Sequence, residues 1–412
     1  MMKWNDDGFI VPIRTGLGEV PPAAMEACPF KPADSAGPSC DEDDLADVFL
    51  ADSKRLDDEI GRFENTYIGY SVADRPNSSS GGLATFIFDV LLREIAVDHI
   101  FVVIQVGTSY EYRIISDLAD IQKTSKTRYI PVTLEELFDR VATIEGRIAV
   151  SGVACFIKAV RMRQSEDPVL KERICFLVGI ICGGLKSGFF TEYLADRAGA
   201  GLAFSSAQYR VKNPNSTSSD YSFAADDSFG TTHTLRMALV GDMWGSGMFK
   251  AKACDFCTDV LTELADISLG DAWLPEYRKD GLGNSVIVTR SKLAEHLIQS
   301  GIASGKLSAN LCEPSQIVAS QRSSFLHRRD ALGFRVALAR IMGQPLPYFR
   351  KRVLKRISVS YMAVQVQREL TRTLSLTVWR KYKSARKFDQ KMRPHVRALR
   401  FLTRINQRLR NR

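Results

Sequence analysis

Hydrophobic positions along this chain alternate between two patterns. Short unbroken apolar runs of strand length occur in HIFVVIQVG (99–107), at the start of RIAVSGVACFIKAVR (147–161), in ICFLVGI (174–180) and in SVIVTRS (285–291). Their length and β-branched content predict buried strands. Between them lie segments with helical spacing: FIFDVLLREI (86–95), TLEELFDRVATIEG (133–146), SGFFTEYLADRAG (187–199) and KLAEHLIQSGI (292–302). Thr133 with Glu136 three residues on predicts a capped helix start. Strand and helix in alternation predict an α/β protein built on a mixed sheet.

The polar stretches divide the chain. Residues 1–64 read as an irregular arm, rich in Pro, Gly, Ala, Asp and Ser over 18–46. Residues 65–150 and 151–327 read as two parts of one α/β module, with 213–232 as a long Ser, Asn and Asp loop. From 328 to 412 the pattern turns helical throughout, with Pro345, Pro347 and Pro394 as expected breaks. No internal repeat is present.

Composition changes this picture in one respect. Hydrophobic content of 45% and charged content of 25% are ordinary for a globular protein. No apolar run reaches the roughly 18–20 residues that span a bilayer. The start, MMKWNDDGFIVP, lacks a basic region followed by an apolar one, so no secretory signal is expected and the cytoplasm is the expected location. The net charge of +9, however, hides an asymmetry. Residues 328–412 hold 24 of the 56 Lys and Arg but 3 of the 47 acidic side chains, leaving an acidic body with a basic tail.

Candidate chemistry centres on cysteine. Eight in 412 residues are too sparse for a disulfide scaffold. Cys254 and Cys257 form a CxxC pair, which alone fits half a zinc site, a redox dithiol or half an iron–sulfur site. Cys155 and Cys182 each follow a predicted strand at a turn, where α/β proteins place ligands. Four thiolates suit zinc or a 4Fe-4S cluster; two single cysteines plus one pair suit the cluster better, and buried core thiols at 155 and 182 are the plainer alternative. Cys175 lies inside a strand run and reads as a core thiol. The stretch Asn77-Ser78-Ser79-Ser80-Gly81-Gly82-Leu83-Ala84-Thr85 reads as a Ser/Gly loop that opens the FIFDVLLREI helix. Such a loop favours an anion, or is an N-cap with a tight turn. ADISLGDAW (265–273) reads as a strand and turn, with Asp266, Gly270 and Asp271 as the ligand-binding alternative. No histidine, His233 included, sits in a catalytic motif.

SSSGGLAT (78–85), RYIPV (128–132), GVACFIKAVR (152–161), FLVGIICGG (176–184), YRVK (209–212) and CDFCTDVLTELADISLGDAW (254–273) together resemble the coenzyme F-420 hydrogenase/dehydrogenase beta-subunit family over roughly 65–310. The resemblance implies a flavin and iron–sulfur module carrying FAD and a 4Fe-4S cluster, with Cys155, Cys182, Cys254 and Cys257 as cluster ligands. It implies that Ser78–Gly82, Thr85, Arg128 and Tyr129 face the flavin. Lys158, Arg210, Lys212 and Asp271 follow as contacts to the cofactor or an anionic substrate. Longer members begin with a ferredoxin-like segment; NDDGFIVP (5–12) and ACPF (27–30) look like its remnant, so extra N-terminal clusters are not expected. A separate ferredoxin or a reduced deazaflavin is then the expected electron donor, with coenzyme F-420 itself a candidate. Relatives beside sugar-polymer biosynthesis genes make a glycan precursor a candidate small-molecule substrate. The basic tail, with Trp379, Phe388 and Phe401, reads as an amphipathic surface for anionic lipid at the inner face of the membrane or for an acidic partner, or as helices packed on the acidic body. Nucleic acid is not expected, because no recognition motif accompanies the charge. The rival function is a non-catalytic binding or assembly protein with a structural metal site.

Overall fold

The computed structural model describes residues 1–14, 25–32 and 39–410. Eight strands form its central sheet: β1 (Asn65–Ser71), β2 (His99–Val106), β3 (Ser109–Ile115), β4 (Ile148–Val153), β5 (Ile174–Ile180), β6 (Ile267–Asp271), β7 (Ser285–Thr289) and β8 (Leu307–Leu311). They run in the order β8-β1-β7-β6-β5-β4-β2-β3. The inner strands β2, β4, β5 and β6 are parallel neighbours, and every outer pairing is antiparallel.

The inner strands are apolar throughout because both faces are covered. On one face, Phe176, Val178, Ile267 and Ile287 pack with helices α1 (Leu83–Arg93) and α4 (Lys292–Ala303) through Phe86, Ile87, Leu91, Leu297 and Ile298. On the other, Phe101, Val150 and Leu177 pack with Ile157 and Val160 of α2 (Ala154–Glu166) and with Leu137 and Val141. Successive residues such as Phe176 and Leu177 therefore serve opposite cores, as the strand period of two requires.

A second core lies beyond the sheet. Helix α3 (Gly188–Ala198) packs on a three-stranded antiparallel sheet, Ser205–Val211, Ser222–Asp226 and Thr232–Arg236, and on the tail helices α6 (Val359–Tyr382) and α7 (Ala385–Arg410). Trp379 is fully buried there, edge-on to Tyr193 and Phe249, and its Nε1 donates to Glu192 at 2.7 Å. Phe388 stacks on Phe249 with ring centres 4.9 Å apart. Helix α5 (Leu332–Ile341) starts the tail.

Several sequence expectations change. Trp379 and Phe388 are core residues of the body rather than parts of an exposed surface; of the three tail aromatics, Phe401 alone stays exposed. Pro394 does not break the tail but sits inside α7 at an exposed position, where water can replace the lost amide bond. The segment 213–232 is not one loop, since Ser222–Asp226 pairs with both neighbouring strands. The polar stretch after β2 contains β3, which a Gly107-Thr108 turn folds back on β2. The helix expected from Thr133 begins at Leu137; Thr133 accepts the Glu135 amide instead of capping it. Cys175 is exposed at the start of β5, not a core thiol. The arm is not irregular throughout: Met2–Trp4 pairs with Ile10–Pro12, and Asp41 caps a helix at Glu42–Phe49. The rest of the expected irregular arm at 15–24 and 33–38 lies outside the described residues.

Candidate functional site

Three parallel strands deliver the site from their C-terminal ends. β4 runs directly into α2, and Cys155 is the second residue of that helix. β5 ends at Ile180, two residues before Cys182. β6 ends at Asp271. The CxxC pair comes from elsewhere in the chain and is tied in by backbone bonds. Lys186 and Lys250 form an isolated bridge, and the amides of Ser187 and Ala251 donate to Phe249 and Leu185 at 2.8 and 3.0 Å. This ladder lays the segment after Cys182 beside the segment before Cys254.

All four predicted ligand thiols are thereby brought together, close enough for their charges to act on one another. Burial pushes the Cys155 and Cys182 thiols up, and the Cys254 thiol up to about 11. Opposing groups favour the thiolates. The Gly184 amide donates to Cys182 Sγ and the Leu185 amide to Cys254 Sγ, both at 3.2 Å. Gly184 has φ +122°, and a Cβ there would meet Lys250 at 2.7 Å, so a larger residue would disturb this turn. Among the described residues no three His, Cys, Asp or Glu side chains close on one point as a single ion requires. In a cluster each thiolate binds its own iron, so the ligands need not meet at a point. Four thiols with amide donors fit that group.

Sequence reasoning missed Arg328. It is 5% exposed, at the start of the tail, within the π-helical turn Leu326–Asp330. Its Nη2 lies 2.5 Å from Cys257 Sγ, and its Nη1 donates to the Cys182 carbonyl at 2.8 Å. Against the cost of burial, the charges of Cys257 and Cys182 hold its guanidinium above the usual value. No local motif surrounds Arg328, and one arginine among the tail's many carries no signal. Glu42 was missed for the same reason. It pairs with Lys158 at 3.2 Å beside Cys155, so Lys158 sits on the cysteine side and not at the Ser/Gly loop. Arg350 joins this network through Glu263 at 2.8 Å and Asp43 at 3.1 Å.

The other predicted residues are linked by contacts that run from the Ser/Gly loop towards Cys182. Ser78 Oγ donates to the Ser80 carbonyl at 2.7 Å, Ser79 Oγ accepts the Thr127 amide at 2.8 Å, and the Gly81 amide donates to Ser285 Oγ at 3.2 Å. Gly82 caps α1 at φ +79° with no side-chain cap, and Thr85 is buried in the first turn. Lys212 Nζ donates to the carbonyls of Arg75 and Ser80 at 2.7 and 2.6 Å. Burial, then Arg210 and Arg75, pull its ammonium down to about 7. Arg210 Nη1 donates to both carboxylate oxygens of Asp271, at 2.8 and 2.7 Å. Tyr129 stands edge-on to Tyr209 and Trp244, and Trp244 lies against Gly183. Burial pushes the Tyr129 phenol up, and the charges of Arg210, Asp271 and Cys182 all reach it. Arg128 is held by the carbonyls of Thr124 and Lys123 at 3.2 Å. Among the described residues the buried Nε atoms of Arg128 and Arg210 each lack a hydrogen-bond partner, so each has a donor that suits a phosphate. Asp266 serves the sheet: it accepts from Arg161 at 3.1 Å and from the Leu177 amide at 2.9 Å.

Comparison with known proteins bears on this arrangement. The chain is similar to a chain of the F420-reducing NiFe hydrogenase complex from Methanosarcina barkeri, at 18% identity and a TM-score of 0.54, over 72% of this chain and 99% of that one. That likeness shows a shared fold. No curated protein matches the chain at a significant level. Two family models, both described as coenzyme F420 hydrogenase/dehydrogenase, beta subunit, match it in turn: the N-terminal one over residues 66–139 and the C-terminal one over residues 145–314. With both halves matched in order, the chain belongs to the coenzyme F420 hydrogenase/dehydrogenase beta-subunit family, a family of oxidoreductase subunits.

Proposed function

We propose that this protein is a flavin- and iron–sulfur-dependent oxidoreductase acting on a small substrate. In this reading Cys155, Cys182, Cys254 and Cys257 hold a 4Fe-4S cluster, and Ser78–Gly82, Thr85, Arg128 and Tyr129 hold FAD. The convergence of four thiols from three separate segments, two of them accepting backbone amides, carries the reading. When bound, the cluster supplies one-electron relay and the flavin couples single electrons to two-electron chemistry. The chain's own residues do the rest. The amides of Gly184 and Leu185 and the Arg328 guanidinium stabilise sulfur-borne negative charge. Arg128, Arg210 and Lys212 offer donors to phosphate, with Asp271 holding Arg210 through its Nη1. Tyr129 and Trp244 pack beside Gly183, next to Cys182. Lys158 and Glu42 close the site beside Cys155, under the arm residues Pro29 and Phe30.

Anaerobic purification tests this. About four irons per chain, as a Cys-ligated cluster requires, together with a flavin absorbance are expected. Cys182→Ser should lose the iron while the protein stays folded. Zinc in place of iron, or full iron in Cys182→Ser, refutes the ligand assignment.

A further inference from the structure

The outer face of α7 is a stripe of arginine. Arg386, Arg393, Arg397, Arg400, Arg404 and Arg408 are all exposed. With 3.6 residues per turn they fall within an arc of about 80°, and with 1.5 Å rise per residue they extend over about 33 Å. None of the six has an ion pair or a side-chain hydrogen bond among the described residues. The one acidic residue of the helix, Asp389, is occupied by Arg197 at 3.0 Å and by the Tyr193 hydroxyl at 2.8 Å. The opposite face is committed to the body through Phe388, Met392 and Leu399. The charge is therefore an outward feature of a rigidly packed helix, not a means of holding the tail down.

One apolar side chain stands beside the arginines. Phe401 lies about 20° around the helix from Arg408 and is 64% exposed. Leu409 and Val359 are exposed too, but away from the stripe: Leu409 lies about 100° beyond its edge, and Val359 is near the buried Asn406, which accepts from Ser360 at 2.9 Å on the side that faces the body. A phosphodiester backbone offers arginines a counter-charge but gives Phe401 nothing apolar to enter. A headgroup layer offers both. Guanidinium forks match phosphate oxygens, and aromatic and aliphatic side chains settle among the headgroups. Among the described residues no helix is long and apolar enough to cross a membrane.

We propose that the α7 face docks the protein on an anionic lipid surface, with the arginine stripe on headgroup phosphates and Phe401 inserted between them. The proposal does not depend on the cofactors. Co-sedimentation of the full chain with phosphatidylglycerol vesicles, set against phosphatidylcholine vesicles and duplex DNA, tests it. Binding to the anionic vesicles alone, weakening at high salt, is expected. At about fivefold per arginine, Arg397→Gln with Arg404→Gln should weaken it about 25-fold. Phe401→Ser should weaken it less and leave the salt dependence intact. All three positions are exposed, so circular dichroism should not change. Equal binding to both vesicles, or binding untouched by the double substitution, overturns the proposal. A preference for DNA with no lipid binding assigns the face to nucleic acid instead.

Discussion

Replacing Arg328 by Gln would remove one positive charge from contact with a proposed cluster ligand and leave a polar side chain in its space. The contact is 2.5 Å from Nη2 to Cys257 Sγ, and the guanidinium is buried. Two unit charges about 4 Å apart interact by about 4 kcal/mol at an effective dielectric near 20. An added electron is shared over the whole cluster, at about twice that distance, so the interaction with it is about 2 kcal/mol. For a one-electron couple at about 59 mV per tenfold, this corresponds to about 85 mV. The arginine favours the reduced, more negative state, so its loss should move the midpoint down. Potentiometric titration followed by electron paramagnetic resonance reads that shift, with iron content as the control. A midpoint unmoved in a variant with full iron would refute the electrostatic role of Arg328. Loss of iron would instead show that Arg328 is needed to hold Cys257 in place.

Three further outcomes are expected. Trp379→Ala empties a fully buried site between the tail and α3 and should cost about 3–5 kcal/mol in urea unfolding; a change below about 1 kcal/mol would mean that the tail does not share the body's core. Gly82→Ala places a Cβ at φ +79°, 2.8 Å from the Arg75 amide, and should cost about 1–3 kcal/mol; an unchanged denaturation midpoint would show that the loop relaxes freely. Lys212 titrates at about 7 in the folded protein, against an ordinary value of 10.5, so between these pH values the unfolded chain binds the extra proton. Stability from this site is therefore lowest below the folded value and grows as pH rises through that window. Lys212→Met should flatten the wild-type stability difference between about pH 6 and about pH 9, and an identical slope in both proteins would contradict the lowered value.

Much of the fold was legible because it is local. The runs at β2, β4, β5 and β7 are apolar on both faces, and an alternation of strand and helix admits few architectures. β1 and β3 escape such a reading because their mixed aromatic and polar residues resemble loop, although the Gly107-Thr108 turn with the alternation in SYEYRII is a usable hairpin signal. The strand-end positions of Cys155 and Cys182 could be read in the same way as the strands, since a cysteine just past an apolar run lies at the edge of the sheet wherever that sheet packs.

What surrounds those thiols could not be read. Arg328 meets Cys257 across 71 residues, and Lys158 meets Glu42 across 116. Nothing near either residue marks it, because the burial that makes each contact strong comes from segments that meet only when the tail and the arm close over the body. The same holds for the basic tail. Its charge and helical spacing are properties of the sequence alone. Which face of it enters the core, burying Trp379 and Phe388, and which keeps its arginines exposed, was decided by the surface of α3 against which it packs.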